Sequence, residues 1–312
     1  GQARALVFEA LRRPDSKQLV RADELRFFAV ELCMREHRKE DALAICRRIR
    51  DELPEASRAR QSATCASILM AMGRHEEALE ELKKADDSAD GKVSLWAGRL
   101  KALVLANLGR ANEADAQLKA LARIHGLPGE KRDLTLAKIR VLKQTGREKE
   151  ALDELSTLVD QNPADPDLAN ELSYELAEKG TDLERAEKLI REAIELEAMQ
   201  RRQGVMPRFE LAAWTPAHDS AMKVGWILFK RGKLDEACRE LERATRLPEG
   251  DDPVLWDHLG DALAARGEQE SARTCWERAA ALWRAGQDRP GENRLEQIER
   301  KLAGGPKPAR IN

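Results

Sequence analysis

Apolar residues in this chain recur three and four positions apart, with charged residues filling the gaps. Leu255, Leu259 and Leu263 stand one helical turn from each other, and Ala237, Leu241 and Ala244 repeat the spacing. With about 3.6 residues per turn, such a pattern lays one apolar stripe along a helix. Strict two-residue alternation is nearly absent, so the pattern predicts helices and no sheet. The helical segments run for about 12–16 residues and come in pairs with a glycine between them.

A short phrase marks each joint. It reads Gly73-Arg74-His75-Glu76-Glu77-Ala78-Leu79, Gly109-Arg110-Ala111-Asn112-Glu113-Ala114, Gly146-Arg147-Glu148-Lys149-Glu150-Ala151-Leu152 and Gly232-Lys233-Leu234-Asp235-Glu236-Ala237. Looser copies run from Gly180 to Ala186, from Gly267 to Ala272 and from His37 to Ala42, where His replaces the Gly. The alanines stand at 42, 78, 114, 151, 186, 237 and 272, at intervals of 36, 36, 37, 35, 51 and 35 residues. Glycine ends the first helix, because it enters the left-handed cap conformation without steric cost. Acidic residues favour the start of the second helix, and so short a connection makes the two antiparallel. Small residues such as Gly225 and Ala237 mark close approach within a pair, while Leu228, Leu241 and Trp276 fill the space between pairs. One pair cannot bury its apolar face alone, so successive pairs must stack.

This period and signature resemble the tetratricopeptide repeat. The best copy runs from Pro253 through Trp256, Leu259, Gly260 and Leu263 to Gly267, Ala272, Trp276 and Ala279; Leu263 stands where the family has Tyr. The sixth copy matches at Gly225, Leu228, Ala237, Leu241 and Ala244, and the fifth at Leu172, Leu176, Ile190 and Ala193. Copies one and four depart from the pattern, with Val30 and Ile139 in the place of the small residue. The resemblance covers about Arg21 to Ala285, and it is to the bacterial type in Gly180–Leu196 and Asp252–Leu263. It implies an all-α fold: a right-handed superhelical solenoid of about seven antiparallel helix pairs with a C-terminal capping helix.

The expected organisation follows. Residues 1–20 form an N-terminal helix or a truncated repeat, with a helix from Ala3 to Arg12 broken at Pro14. Residues 21–285 are the solenoid, 286–303 the capping helix with Leu295, Ile298 and Leu302 on one face, and 304–312 a flexible tail. An insertion at about 197–216 accounts for the 51-residue interval. There the second helix of copy five runs on past Leu196 towards Arg202, and Phe209 and Trp214 follow in an unusually apolar connection. Those rings either fold back on the extended helix or form a flap over the groove; a disordered loop is the third reading.

Composition narrows the partner. Lys and Arg number 54 against 56 Asp and Glu, a net charge of −2, which argues against a general nucleic-acid binder. No apolar stretch approaches the roughly 18 residues that a membrane helix needs. Cys33, Cys46, Cys65, Cys238 and Cys275 form no CxxC and fall inside helical patterns, so they are expected as small core side chains. That usage favours a reducing, cytoplasmic compartment. The chain starts at Gly1 with no initiator Met or signal-like segment, so a fragment or processed chain is expected and an envelope association stays open.

In the resembling family the first helices of successive repeats line a concave face that binds peptides or partner helices. Transferred by position, that face carries Phe27, Glu31, Arg60, Trp96, Arg99, Arg140, Lys143, Asn170, Tyr174, Met222, Trp226, Asp257 and Asp261. Only 4% of the chain is aromatic, so Trp96, Tyr174 and Trp226 stand out as anchors, unless they pack between pairs as Trp256, Trp276 and Trp283 are expected to. Arg99, Arg140 and Lys143 suit an acidic or C-terminal carboxylate ligand, unless they belong to a solvated face. The family's carboxylate clamp needs Asn where this chain has Glu31, Ser67, Leu103, Arg140, Tyr174, Trp226 and Asp261, so no clamp is expected.

Catalytic chemistry finds no motif. His75-Glu76-Glu77-Ala78-Leu79 lacks the second His of a zinc protease, and Asp257, His258 and Asp261 share one helix without a further ligand set. Neither a phosphate loop nor a nucleophile elbow occurs, and no cofactor or metal is expected. The resemblance therefore implies a non-catalytic scaffold binding a protein or peptide, with no nucleic-acid partner and no membrane insertion. Two alternatives remain: the regulatory arm of a longer enzyme or envelope-assembly protein, and an RNA-reading helical repeat, which would need a basic inner face.

Overall fold

The computed structural model describes residues 22–35, 38–53, 58–88, 95–202, 217–247, 250–287 and 294–304. The expected helix within residues 1–20, the rings of Phe209 and Trp214, and residues 305–312 of the tail lie outside them, as does His37. Among the described residues there are fifteen α-helices and no strand. They are α1 (Ala22–Arg35), α2 (Lys39–Glu52), α3 (Arg58–Ala71), α4 (His75–Ser88), α5 (Leu95–Asn107), α6 (Ala111–Ile124), α7 (Pro128–Gln144) and α8 (Glu148–Gln161). Then come α9 (Pro166–Lys179), α10 (Leu183–Arg202), α11 (Ala217–Lys230), α12 (Leu234–Thr245), α13 (Pro253–Arg266), α14 (Gln269–Leu282) and α15 (Arg294–Gly304). A single π-turn, Trp283–Gln287, extends α14.

One local turn recurs between the two helices of a pair. At Gly180 the backbone is left-handed (φ 65°), and the next N–H, that of Thr181, returns to the Leu176 carbonyl at 3.0 Å. This closes the last turn of the helix and satisfies carbonyls that would otherwise be orphaned. The same return bond runs from Arg74 to Leu69, Arg110 to Leu105, Arg147 to Leu142, Lys233 to Leu228 and Glu268 to Leu263. The arginine that follows the glycine does more than begin a helix. Arg74 pairs with Glu77, Arg110 with Glu113 and Arg147 with Glu150, each three residues on, at 2.6 to 2.8 Å. At the opposite end, Asp165 and Asp252 accept two backbone N–H bonds each at the starts of α9 and α13, with Pro166 and Pro253 in the first helical position.

The alanine of each phrase is buried: Ala42, Ala78, Ala114, Ala151, Ala186, Ala237 and Ala272 are none of them more than 1% exposed. The chain divides into two compact units, residues 1–151 and 152–312, with the division inside α8. In unit 1, α3 packs on α4 and α5 on α6, while first helices adjoin each other, α3 on α5 and α5 on α7. Leu69, Leu79, Leu82, Leu105, Leu121 and Val141 form its continuous core. A thiol pair, Cys46 and Cys65, sits within that core with the two sulfurs 2.9 Å apart; all five cysteines are buried and none forms a disulfide. The contact with Cys65, followed by burial, pushes the Cys46 thiol far above its ordinary pKa, so it is a packing group.

In unit 2 the pairs are α9–α10, α11–α12 and α13–α14, with α9 on α11 and α11 on α13. The small residues expected at close approach are where required: a Cβ on Gly225 would lie 2.6 Å from Leu241 Cγ, and one on Gly260 2.5 Å from Trp276 Nε1. Helix α15 packs back on α14.

Candidate functional site

The first helices in each unit share one face, and the two units use it differently. In unit 1 that face is open. Trp96, at the start of α5, is 40% exposed, and Arg140 on α7 and Arg60 on α3 are exposed as well. Arg99 is held by Asp133 across to α7 at 2.7 Å, and Lys143 is half-buried. The positive charge expected there is thus partly neutralised within the fold. Elsewhere in unit 1, the buried carboxylate of Glu81 gathers Arg47, Arg50 and Lys84, tying α2 to α4. A shallow cleft of about 400 Å³ opens between α4, α5 and α6, lined by Leu79, Lys83, Lys101 and Arg110, on the side of α5 away from Trp96.

In unit 2 the corresponding face is covered. Asn170, Met222, Trp226, Asp257 and Asp261 are all buried and Tyr174 is half-buried. Trp226, 5% exposed, stacks on His258 with ring centroids 3.8 Å apart and planes 11° apart, and on Phe229 at 5.0 Å. Tyr174 flanks His258 at 6.5 Å. These rings come from α9, α11 and α13, so residues 52 and 32 apart in sequence meet at one point because successive first helices pack side by side.

Helix α15 seats over the Asp257–Asp261 part of this face. Lys301 Nζ donates to Asp257 Oδ1 at 2.6 Å and lies 2.7 Å from Asp261 Oδ1, with its charge 5.7 Å from the Trp276 ring centroid. Trp276 Nε1 donates to the same Asp261 oxygen at 3.1 Å. At the other end of α15, Arg294 lies 4.0 Å from Glu178 on α9. Ile298, between the two, is fully buried. The sequence marked α15 as a cap on its apolar stripe, but Arg294 and Lys301 share that stripe and went unread, as did His258 as the point where the rings meet.

Electrostatics follow from the charge count, two carboxylates against one ammonium in a buried place. Burial and the neighbouring charge of Asp257 raise the pKa of Asp261 to about 6, against the pull of Lys301. Burial would lower the pKa of Lys301, but the two aspartates more than reverse it, so the ammonium stays charged. His258 is driven well below its ordinary value by burial, then by Arg294, Lys301 and Lys230, so its ring is neutral. Tyr174 is raised by burial and by the charge of Glu178. An ammonium occupies the one place where Asp257 and Asp261 converge, and among the described residues no group of three or more His, Cys, Asp and Glu is arranged to hold a metal ion. No described helix is long and apolar enough to cross a membrane.

No family model matches the chain, and no curated protein matches it in sequence. Solved structures do. A chain of the APC/C hetero-tetramer Cut9–Hcn1 superposes with a TM-score of 0.58 at 16% identity, over 96% of this chain and 54% of the other. This chain therefore spans about half the length of that one. A tetratricopeptide repeat protein from Parabacteroides merdae ATCC 43184 superposes with a TM-score of 0.51 at 14% identity, over 78% of this chain and 97% of the other. The fold is that of the tetratricopeptide-repeat proteins.

Proposed function

We propose that this chain is a non-catalytic interaction scaffold and that a partner protein or peptide docks on the first-helix face of unit 1. The observation that carries the reading is Trp96: a large ring left 40% exposed in a chain whose Trp226, Trp276 and Trp283 are buried. Aromatic and arginine side chains together make the usual interface anchors, and Arg60 and Arg140 are exposed on the neighbouring first helices α3 and α7. The cationic rim favours an acidic segment or a free C-terminal carboxylate, which arginine binds in bidentate fashion.

The test is a double variant of the full chain, Trp96→Ala with Arg140→Glu, used beside the wild type to capture acidic peptides from a displayed library. Arg140 is exposed, where effects on stability stay within about 0.5 kcal/mol, while Trp96 still buries more than half of its surface, so Trp96→Phe is run beside it as the packing control. Acidic peptides enriched by the wild type and lost by the variant, at an unchanged melting temperature, support the reading. Equal enrichment by both chains removes the face from consideration.

A further inference from the structure

The C-terminal helix sits in unit 2 as a ligand would. Between Arg294 and Lys301 its axis advances about 10 Å, at ~1.5 Å per residue. Over that length its cations reach carboxylates on two different first helices, Glu178 of α9 and the aspartates of α13, and Ile298 is buried between them. The three side chains stand at i, i+4 and i+7, one face of a helix laid in a groove.

The floor has capacity that α15 leaves unused. Asp257 and Asp261 meet one ammonium, so an excess negative charge stays buried. His258, 1% exposed, has no hydrogen-bond partner at either ring nitrogen, which for a buried polar group costs about 1–3 kcal/mol. Its ring feels the charges of Arg294 and Lys301 on α15 and of Lys230 on α11. The occupant itself is weakly built. At eleven residues it is shorter than the roughly 12–15 needed for a helix to persist in water, and Ile298 is its one fully buried side chain. Its seat is a matter of charge, and a longer basic helix that neutralised both aspartates would hold the floor better.

We propose that the Asp257–Asp261 socket is a binding site for a basic amphipathic helix of a partner protein, and that α15 is its built-in competitor. The partner helix carries Arg or Lys, a branched aliphatic residue four positions on, and Lys three further, matching Glu178, the apolar floor and the socket. This goes beyond the Trp96 face of unit 1 and stands or falls without it.

The probe is a fluorescein-labelled synthetic peptide with the sequence of residues 294–304, titrated into the full chain. In a variant with Ile298→Asp and Lys301→Glu, α15 is unseated and every floor residue is kept. The peptide is expected to bind that variant at least about tenfold more tightly than the wild type. Adding Asp257→Asn and Asp261→Asn should weaken it by at least about tenfold again. Equal affinity for wild type and unseated variant, or indifference to the Asn changes, overturns the proposal. Should the variant lose the wild-type circular dichroism, the wild type itself gives the answer. Excess unlabelled peptide is then expected to speed hydrogen exchange of the α15 amides at least about tenfold, and unchanged exchange overturns the proposal. A concentration-dependent dimer that exchanges α15 between copies would assign the socket to a second copy, and would overturn it too.

Discussion

Gly260 on α13 gives a sharp stability test, because two effects of Gly→Ala oppose each other there. In an ordinary helix interior the change stabilises by about 1 kcal/mol, since Ala loses less backbone freedom on folding. At position 260 the new Cβ would stand 2.5 Å from Trp276 Nε1, 2.6 Å from Cδ1 and 3.0 Å from Cε2, all inside van der Waals contact. The indole is rigid, 2% exposed, and tied through its N–H to Asp261, so it cannot swing aside as an aliphatic side chain can. Overpacking costs about 1–3 kcal/mol, and a strained hydrogen bond to a charged acceptor puts up to about 1.5–3 kcal/mol more at risk. The net expectation for Gly260→Ala is a loss of about 2–4 kcal/mol, read as a lower urea midpoint by circular dichroism and Trp fluorescence. Gly129→Ala on α7 is the control: nothing lies within 4 Å of its Cβ, so that variant should be neutral or slightly more stable. Gly225→Ala should fall between, because Leu241 can rotate. A Gly260→Ala chain with the wild-type midpoint, or a Gly129→Ala chain equally weakened, would refute the close-contact account of the pair.

Trp226→Ala, which removes a ring stacked between His258 and Phe229, should cost about 3–5 kcal/mol; a loss under about 1 kcal/mol in urea unfolding would contradict its place in the core. Glu187 on α10 is paired with Arg191, Arg231 and Lys233. Burial pushes its pKa up, but the hydrogen bonds from those donors outweigh it and bring the value down to about 2. A folded value below the unfolded one means stability held above about pH 4.5 and lost as the pH falls towards 2. Glu187→Gln should therefore cost about 2 kcal/mol at pH 7, after allowance for its partly exposed partners. In denaturation curves the gap to wild type should close between about pH 4.5 and 2, and a pH-independent gap would count against the cluster.

The hairpins were legible because what makes them is local. A glycine, the leucine five residues before the following N–H and the arginine–glutamate pair lie within nine residues, so the phrase around Gly73 can be read without knowing its neighbours. The alanines follow for the same reason. A position that must admit a second backbone shows its size limit in every copy, and all seven alanines are buried. Face assignments were legible to a lesser degree: repeat register does bring Tyr174, Trp226 and Asp261 onto neighbouring first helices.

Whether such a face is open or filled could not be read that way. Trp96 and Trp226 looked alike as candidates, yet one is exposed and the other is buried, stacked on His258 of the next first helix. The stripe of Leu295, Ile298 and Leu302 determines that α15 is amphipathic, but an apolar stripe fits any apolar surface of the right width. What selects its seat is charge matched across 44 residues, Lys301 to Asp257, and Arg294 to Glu178 across more than a hundred. Sequence by itself determined the helical hairpins and their order, because short-range sterics and hydrogen bonds leave one outcome. Tertiary structure alone decided which face is occupied, because that depends on distant charges that only the stacked repeats bring within reach.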